Sequence, residues 1–228
     1  MPFGLKNAPQ IFQKWMNSIF SPYNKFILVY IDDILIFSST YEEHIQHLEI
    51  AKELFIKHGI IFGKNKIELC KQKIEYLGKI INQGEISLQE HIITKIKKFP
   101  DTFETLKQLQ SFLGILNYGR KYLPRLSEHS KNLQEKLTEI NRQYKRNKEK
   151  AISRWETDKI KIQLNELEKR EIKYLKTLIN KIPKTVIPKP EDKLILYTGA
   201  SNLYWAGVLV TSLKDVVGYT SSKLTNQK

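Results

Sequence analysis

Cysteine is almost missing from this 228-residue chain: Cys70 is the only one. A single thiol excludes an intrachain disulfide framework and any cysteine-rich zinc module. No apolar run approaches the roughly 20 residues that a membrane-spanning helix requires, and the first residues lack the charged-then-apolar pattern of a secretory leader. The expectation is an intracellular protein of cytoplasm or nucleus, not secreted, with no membrane as partner. Acidic residues are also scarce. The 24 Asp and Glu face 38 Lys and Arg, giving a net charge of +14 and a pI near 9.6. That excess suits a polyanion, nucleic acid ahead of an acidic membrane surface. Glycine is absent from residues 131–193, where 18 Lys and Arg outnumber 10 Asp and Glu. Net +8 of the +14 therefore lies in one segment rich in helix-forming residues. With 41% hydrophobic residues the chain can bury the core of one large or two small domains. Nothing in the composition bears on oligomeric state.

Against that background one stretch stands out: Phe26-Ile27-Leu28-Val29-Tyr30-Ile31-Asp32-Asp33-Ile34-Leu35-Ile36-Phe37. Two runs of β-branched and aromatic residues flank a bare aspartate pair, the pattern of a strand, a tight hairpin and a second strand. The pair is expected side by side at the tip. Asp is also a favoured turn residue, so an ordinary turn is the competing reading. Adjacent carboxylates repel unless a cation sits beside them, and Mg²⁺ takes one or two carboxylates together with substrate phosphates. Mn²⁺ would serve in its place.

Around this stretch the chain alternates. Residues 1–9 read as a loop. A helix follows, with Asn7 as its cap, Pro9 in its first turn, and an apolar face of Ile11, Phe12, Trp15, Met16, Ile19 and Phe20. Phe12 and Trp15 are expected in the core. Ser39 or Thr40 caps a second helix, whose stripe is Ile45, Leu48, Ala51, Leu54 and Phe55 and whose end is Gly59. His44 and His47 are read as solvated helix residues, since no second ligand pair accompanies them for zinc. Short strands are expected at 60–62, 66–69, 74–81 and 86–88, with a turn at Asn82-Gln83-Gly84. The whole reads as α+β, helices on one face of an antiparallel sheet. A helix with Leu106, Leu109, Phe112, Leu113, Leu116 and Tyr118 comes next, ending beside the basic Arg120, Lys121 and Arg125. Ile160, Leu164, Leu167, Ile172, Leu175 and Ile179 form a helical stripe in the basic segment. That segment is open to three readings: a solvated face, a short coiled coil, or a basic arm along phosphates. Pro183, Pro188 and Pro190 mark a linker to three consecutive antiparallel strands within 193–220.

Five stretches, in order, carry a resemblance. Tyr30-Ile31-Asp32-Asp33 resembles the Tyr-x-Asp-Asp signature of reverse transcriptases, and residues 1–12 (Met-Pro-Phe-Gly-Leu-Lys-Asn-Ala-Pro-Gln-Ile-Phe) resemble the loop and helix that precede it. Tyr76-Leu77-Gly78 is similar to the hairpin that grips the primer end. Leu109 to Gly114, with Asn117-Tyr118 and Lys121-Tyr122-Leu123-Pro124, resembles the thumb helices. Leu196-Tyr197-Thr198-Gly199-Ala200-Ser201 with Tyr204-Trp205 resembles the opening of a ribonuclease H domain. The order and spacing are similar to plant pararetroviruses (caulimovirus-like) and Gypsy-type retrotransposons.

The resemblance implies an RNA-directed DNA polymerase using deoxynucleoside triphosphates on a primed RNA or DNA template, by two-metal nucleotidyl transfer. Its parts would be a partial palm at 1–90, thumb helices at 91–130, a basic helical connection at 131–192 and a truncated ribonuclease H-like start at 193–228. It implies that Asp32 and Asp33 are catalytic metal ligands, Asp32 the direct one. Phe3, Gly4 and Tyr30 would lie in the nucleotide and template pocket, Lys64 and Lys66 would contact phosphate, and Tyr76, Leu77 and Gly78 would position the primer. Two departures shape the expectation for this chain alone. The family's third catalytic aspartate precedes the Pro-Phe-Gly-Leu loop, and Gly199 stands where the first ribonuclease H aspartate would be. The implied outcome is little or no polymerase activity and no ribonuclease H activity. The alternative is a non-catalytic, nucleic-acid-binding remnant of an integrated viral or retrotransposon element.

Overall fold

The computed structural model describes residues 5–148 and 151–224. The chain divides into two compact units, Met1–Tyr76 and Leu77–Lys228.

The first unit is built on a hairpin between two helices. α1 (Ala8–Phe20) carries Pro9 in its first turn, where proline is tolerated, but the Asn7 side chain makes no capping bond. Met16, Ile19 and Phe20 are buried and pack with Ile27, Ala51 and Leu54. Phe12 leans on this cluster, whereas Trp15 is 42% exposed, so only half of the expected aromatic pair is core. β1 (Ile27–Tyr30) and β2 (Asp33–Ile36) follow. α2 (Tyr41–His58) is capped by Thr40, whose Oγ1 accepts the Glu43 N–H at 3.2 Å. Gly59, at φ +65°, closes it in the left-handed region that glycine tolerates. His44 and His47 are not simply solvated. Their Nδ1 atoms lie 3.1 and 2.7 Å from the Ser38 hydroxyl, and the His47 ring stacks on Phe26 at 3.8 Å.

The strands expected at 60–62 and 66–69 do not form; the segment holds only the single 3-10 turn Lys64–Lys66. Ile61, Ile67 and Leu69 are exposed there, and an apolar run without a partner has no ladder to join. Nor is 74–81 one strand. β3 (Lys73–Tyr76) closes the first unit, Leu77 and Gly78 turn at φ 47° and 73°, and β4 (Lys79–Asn82) begins beyond them.

In the second unit β4 pairs antiparallel with β5 (Glu85–Leu88) through the expected turn, Gln83 at φ 47° and Gly84 at 82°. β5 in turn pairs with the short β6 (Thr185–Val186), a hundred residues later. Between them run α3 (Glu90–Lys97), α4 (Leu106–Tyr118), α5 (Leu126–His129), α6 (Lys131–Lys148) and α7 (Glu166–Ile179). α4 and α7 each open with a full capping box, Thr105 with Gln108 and Asn165 with Glu168. Ile96, Phe103, Leu106, Leu109, Phe112, Leu116, Leu133, Ile172, Leu175 and Ile179 form one core. The apolar stripe of the basic segment is therefore neither solvated nor free to pair as a coiled coil: Leu164, Ile172, Leu175 and Ile179 belong to this core, while most charged residues of α6 stay exposed. Leu167 departs from that stripe and is exposed, in the first turn of a helix that begins only at Glu166, and residues 154–159 form turns.

The last three strands form a separate sheet of the second unit, in the order β7 (Leu194–Ala200), β8 (Tyr204–Thr211), β9 (Val216–Lys223). β9 docks on the helical part. The Arg120 guanidinium donates to the Ser221 carbonyl at 2.8 Å, and Ser127 donates to the Ser221 hydroxyl through its N–H and to the Ser221 carbonyl through Oγ.

Phe112 is fully buried, with its ring centroid 5.3 Å from Phe99 and 5.2 Å from Phe103. Phe112→Ala should therefore lower the unfolding free energy by about 3–5 kcal/mol, read as a reduced midpoint in urea followed by far-UV circular dichroism.

Candidate active site

The hairpin register runs from Ile27 opposite Ile36 to Tyr30 opposite Asp33. The two-residue loop is thus Ile31-Asp32, one residue earlier than the aspartate pair suggests. Asp32 sits in the turn, and Asp33 is the first residue of β2. The alternation of the strands dictates this. Ile27, Val29, Ile34 and Ile36 must share the face packed on the helices, which leaves Leu28, Tyr30 and Asp33 on the outer face. Both aspartates are exposed.

The position taken by Ile31 is costly. Its φ is +51°, in the left-handed region where a Cβ, and above all a branched one, meets the following carbonyl, at about 1–2 kcal/mol. Gln13 of α1 holds it there. Its Oε1 accepts the Ile31 N–H at 2.6 Å, and its Nε2 donates to the Val29 carbonyl at 3.2 Å and to Asn17 Oδ1 at 2.7 Å. One amide side chain so clamps both flanks of the turn. At the base of the hairpin, the Phe37 N–H donates to the Phe26 carbonyl at 3.0 Å, and His47 lies against both residues, stacked on Phe26 and 3.3 Å from the Phe37 carbonyl.

Tyr76, at the end of β3, feels the hairpin's charge. Burial pushes its phenol above the ordinary tyrosine value, and the Asp33 carboxylate adds to the rise. Lys66 is exposed in its single turn. Phe3, Gly4 and the Lys64 side chain lie outside the described residues. Leu77 and Gly78 belong to the second unit, where the Tyr118 hydroxyl donates to the Leu77 carbonyl. A Cβ on Gly78 would collide with that same hydroxyl, so glycine is required here by both φ and space. The next residue, Lys79, is held below the ordinary lysine value by burial and by the nearby Lys121.

Gln13 and Tyr118 are the two residues that sequence reasoning missed. Gln13 is a polar residue in an amphipathic helix, and Tyr118 reads as part of an apolar stripe. Neither pattern announces a side chain that braces a turn far along the chain. Gly199, next to last in β7 and opposite Ala206, has open space where a side chain would stand.

Among the described residues no three His, Cys, Asp or Glu side chains gather into a group that could hold a metal ion. Asp32 and Asp33 are two exposed hard-oxygen donors. They fit the part of a magnesium shell that the protein usually supplies, the rest coming from water and substrate phosphates.

Residues 1–81 match the family model described as reverse transcriptase (RNA-dependent DNA polymerase). The chain is 42% identical over 209 residues to the enzymatic polyprotein of Cauliflower mosaic virus (strain Strasbourg), covering 92% of this chain and 28% of that one. It is 39% identical over 217 residues to the enzymatic polyprotein of Figwort mosaic virus (strain DxS), covering 95% and 30%. Identity is 38% over 226 residues with the genome polyprotein of Petunia vein clearing virus (isolate Shepherd), 98% of this chain and 9% of that one. The chain thus spans less than a third of the length of these curated relatives. Its fold is similar to that of the foamy viral protease-reverse transcriptase solved in complex with double-stranded DNA. The TM-score there is 0.79 at 24% identity, over 99% of this chain and 37% of that one.

Two expected outcomes test the local geometry. Gln13→Ala leaves the Ile31 N–H without its acceptor and should cost about 1–3 kcal/mol in urea unfolding. Ile31→Gly should recover part of that loss in the Gln13→Ala background, because glycine carries no penalty at positive φ. Gly78→Ala should destabilise by about 1 kcal/mol or more, and by less in the Tyr118→Phe background, where the obstructing hydroxyl is gone.

Proposed function

We propose, from the match of residues 1–81 to the reverse transcriptase model and from about 40% identity to caulimovirus polyproteins over nearly the whole chain, that the chain is a member of that family and that its Tyr30–Asp33 turn is the metal-binding end of an RNA-directed DNA polymerase site. The observation that carries the reading is the exposed Asp32-Asp33 pair on a turn that the molecule holds in a strained conformation through Gln13. Strain retained next to two exposed carboxylates is expected where a fixed geometry is needed for function.

Asp32 and Asp33 would hold Mg²⁺, or Mn²⁺ in its place; when bound, the ion supplies neutralisation of charge on the triphosphate. The chain's own residues do the rest. Gln13 keeps the turn from relaxing, so the carboxylates meet their ligand without reorganisation. Tyr30 stands on the same outer face as Asp33 and offers a ring to the substrate. The family resemblance assigns Phe3 and Gly4 to the nucleotide and template pocket, and Lys64 and Lys66 to phosphate contact. Tyr76, Leu77 and Gly78 position the primer end, with Tyr118 fixing the Leu77-Gly78 turn. The substrates are deoxynucleoside triphosphates on a primed RNA or DNA template. The foamy viral protease-reverse transcriptase, similar in fold, is solved with double-stranded DNA and with an RNA/DNA hybrid, which supports a duplex partner here. Residues 1–90 act as palm, 91–130 as thumb, 131–192 as connection and 193–228 as the start of a ribonuclease H-like sheet.

A second reading has its own observation. Gly199 offers no carboxylate where the resemblance calls for one, a loss that favours reading the chain as a remnant that binds nucleic acid without chemistry.

Primer extension with Mg²⁺ on a primed RNA template separates the two. Polymerase function predicts extension that falls on the order of a thousandfold or more in Asp32→Ala. Binding without chemistry predicts no extension from either protein, with equal affinity for the primed template and a steep loss of that affinity between low and moderate salt.

A further inference from the structure

Trp155 is 86% exposed, an unusual placement for the largest apolar side chain. The turn that carries it is not loose. The Ser153 N–H and hydroxyl both donate to Glu156 Oε2, at 3.0 and 2.7 Å, and the Tyr144 hydroxyl donates to Glu156 Oε1. The Thr157 hydroxyl, itself buried, donates to the Arg154 carbonyl at 2.8 Å. The Glu156 N–H reaches the Ser153 carbonyl at 3.0 Å, and the Ile160 N–H reaches the Glu156 carbonyl at 3.2 Å. The turn is also tied to the start of α4: Thr157 and Ile160 carbonyls accept the Lys107 and Leu106 N–H groups at 3.2 and 3.0 Å. Bonds on both sides of Trp155 thus hold a short turn whose outermost feature is an indole in water.

Glu156 is turned inward to Ser153 and Tyr144, and Asp158 is paired with Lys107. Arg154 and Lys159, on either side of the indole in sequence, are exposed. The surrounding 131–193 segment carries net +8. An exposed ring on a braced turn, with exposed cations one and four residues along the chain, suits a base stacked on the ring with its phosphates on those charges. A base within a duplex has both faces covered by its neighbours, so the partner must offer an unpaired one.

We infer that Trp155, with Arg154 and Lys159, forms a stacking platform for a single-stranded segment of nucleic acid. The inference rests on the nucleic-acid reading of the chain but not on its catalytic one, since nothing in the platform involves Asp32.

The test is fluorescence anisotropy of the full chain with a labelled 20-nucleotide oligothymidylate and with an abasic oligonucleotide of equal length and charge. Trp155→Ala should weaken oligothymidylate binding by about 10-fold, within the range of one aromatic–base stack. Trp155→Tyr should keep most of the affinity, and the salt slope should be unchanged, because no phosphate contact is removed. On the abasic strand, wild type and Trp155→Ala should bind equally. The combined Arg154→Ala, Lys159→Ala variant should lower the salt slope on both strands. Thermal unfolding should be the same for wild type and Trp155→Ala, since the indole is outside the core. Equal oligothymidylate binding by wild type and Trp155→Ala would overturn the platform and point to a protein partner for the indole. Equal losses on both strands would overturn stacking. No binding of either strand by the wild type would overturn the platform together with the nucleic-acid reading, whereas primer extension bears on the catalytic reading alone.

Discussion

The hydrogen bonds between Gln13 and the hairpin turn are the constraint on which the first unit's geometry rests. Without an acceptor for the Ile31 N–H, a branched residue at positive φ would relax toward a commoner turn. The relaxed loop would re-aim Asp32 and shift the register that keeps Ile34 and Ile36 on the core face. The clamp works because α1 is itself anchored. Met16, Ile19 and Phe20 fix the helix against Ile27 and α2, so the Gln13 amide arrives at a set height. The route from sequence to site is therefore indirect: an apolar stripe places a helix, the helix places one amide, and the amide holds a turn.

The second unit is organised by burial on a larger scale. α4 supplies Leu106, Leu109, Phe112, Leu113 and Leu116, and α3, α6 and α7 close around it. Two capping boxes start α4 and α7 with their first N–H groups satisfied. The N-terminus of α6 is met instead by Glu171 of α7, whose carboxylate accepts the Asn132 and Leu133 N–H groups at 3.0 and 3.1 Å. Burial raises the Glu171 pKa, and these bonds work against the rise by favouring the charged form. A helix rich in Lys and Arg is thus tied into the core by an acid from its neighbour, and its charge remains available outside.

Legibility followed range. The capped helix α2, the α4 stripe, the Gln83-Gly84 turn and the three final strands could be read because their signals lie within a few residues of one another. The aspartate pair was equally plain, and the kinship it suggested is matched by the reverse transcriptase model over residues 1–81. What misled were stretches whose state depends on a distant partner. Residues 60–69 have strand-like composition but no ladder to join among the described residues. The 74–81 run looks continuous, yet Tyr118 stabilises a turn in its middle. The stripe of the basic segment looks solvated or coiled until it is seen to join the core that α4 also supplies.

The sequence by itself determined which residues are apolar, where α2 starts and stops, and that two carboxylates stand together in a hairpin, because all of these are set by neighbours along the chain. Tertiary structure alone decided which residue of Ile31-Asp32-Asp33 occupies the left-handed corner, that Gln13 and Tyr118 brace turns 18 and 41 residues away, and that Trp155 faces water. The reason is physical. A turn's conformation is chosen by whichever donor or acceptor reaches its backbone, and what reaches it depends on how the helices pack.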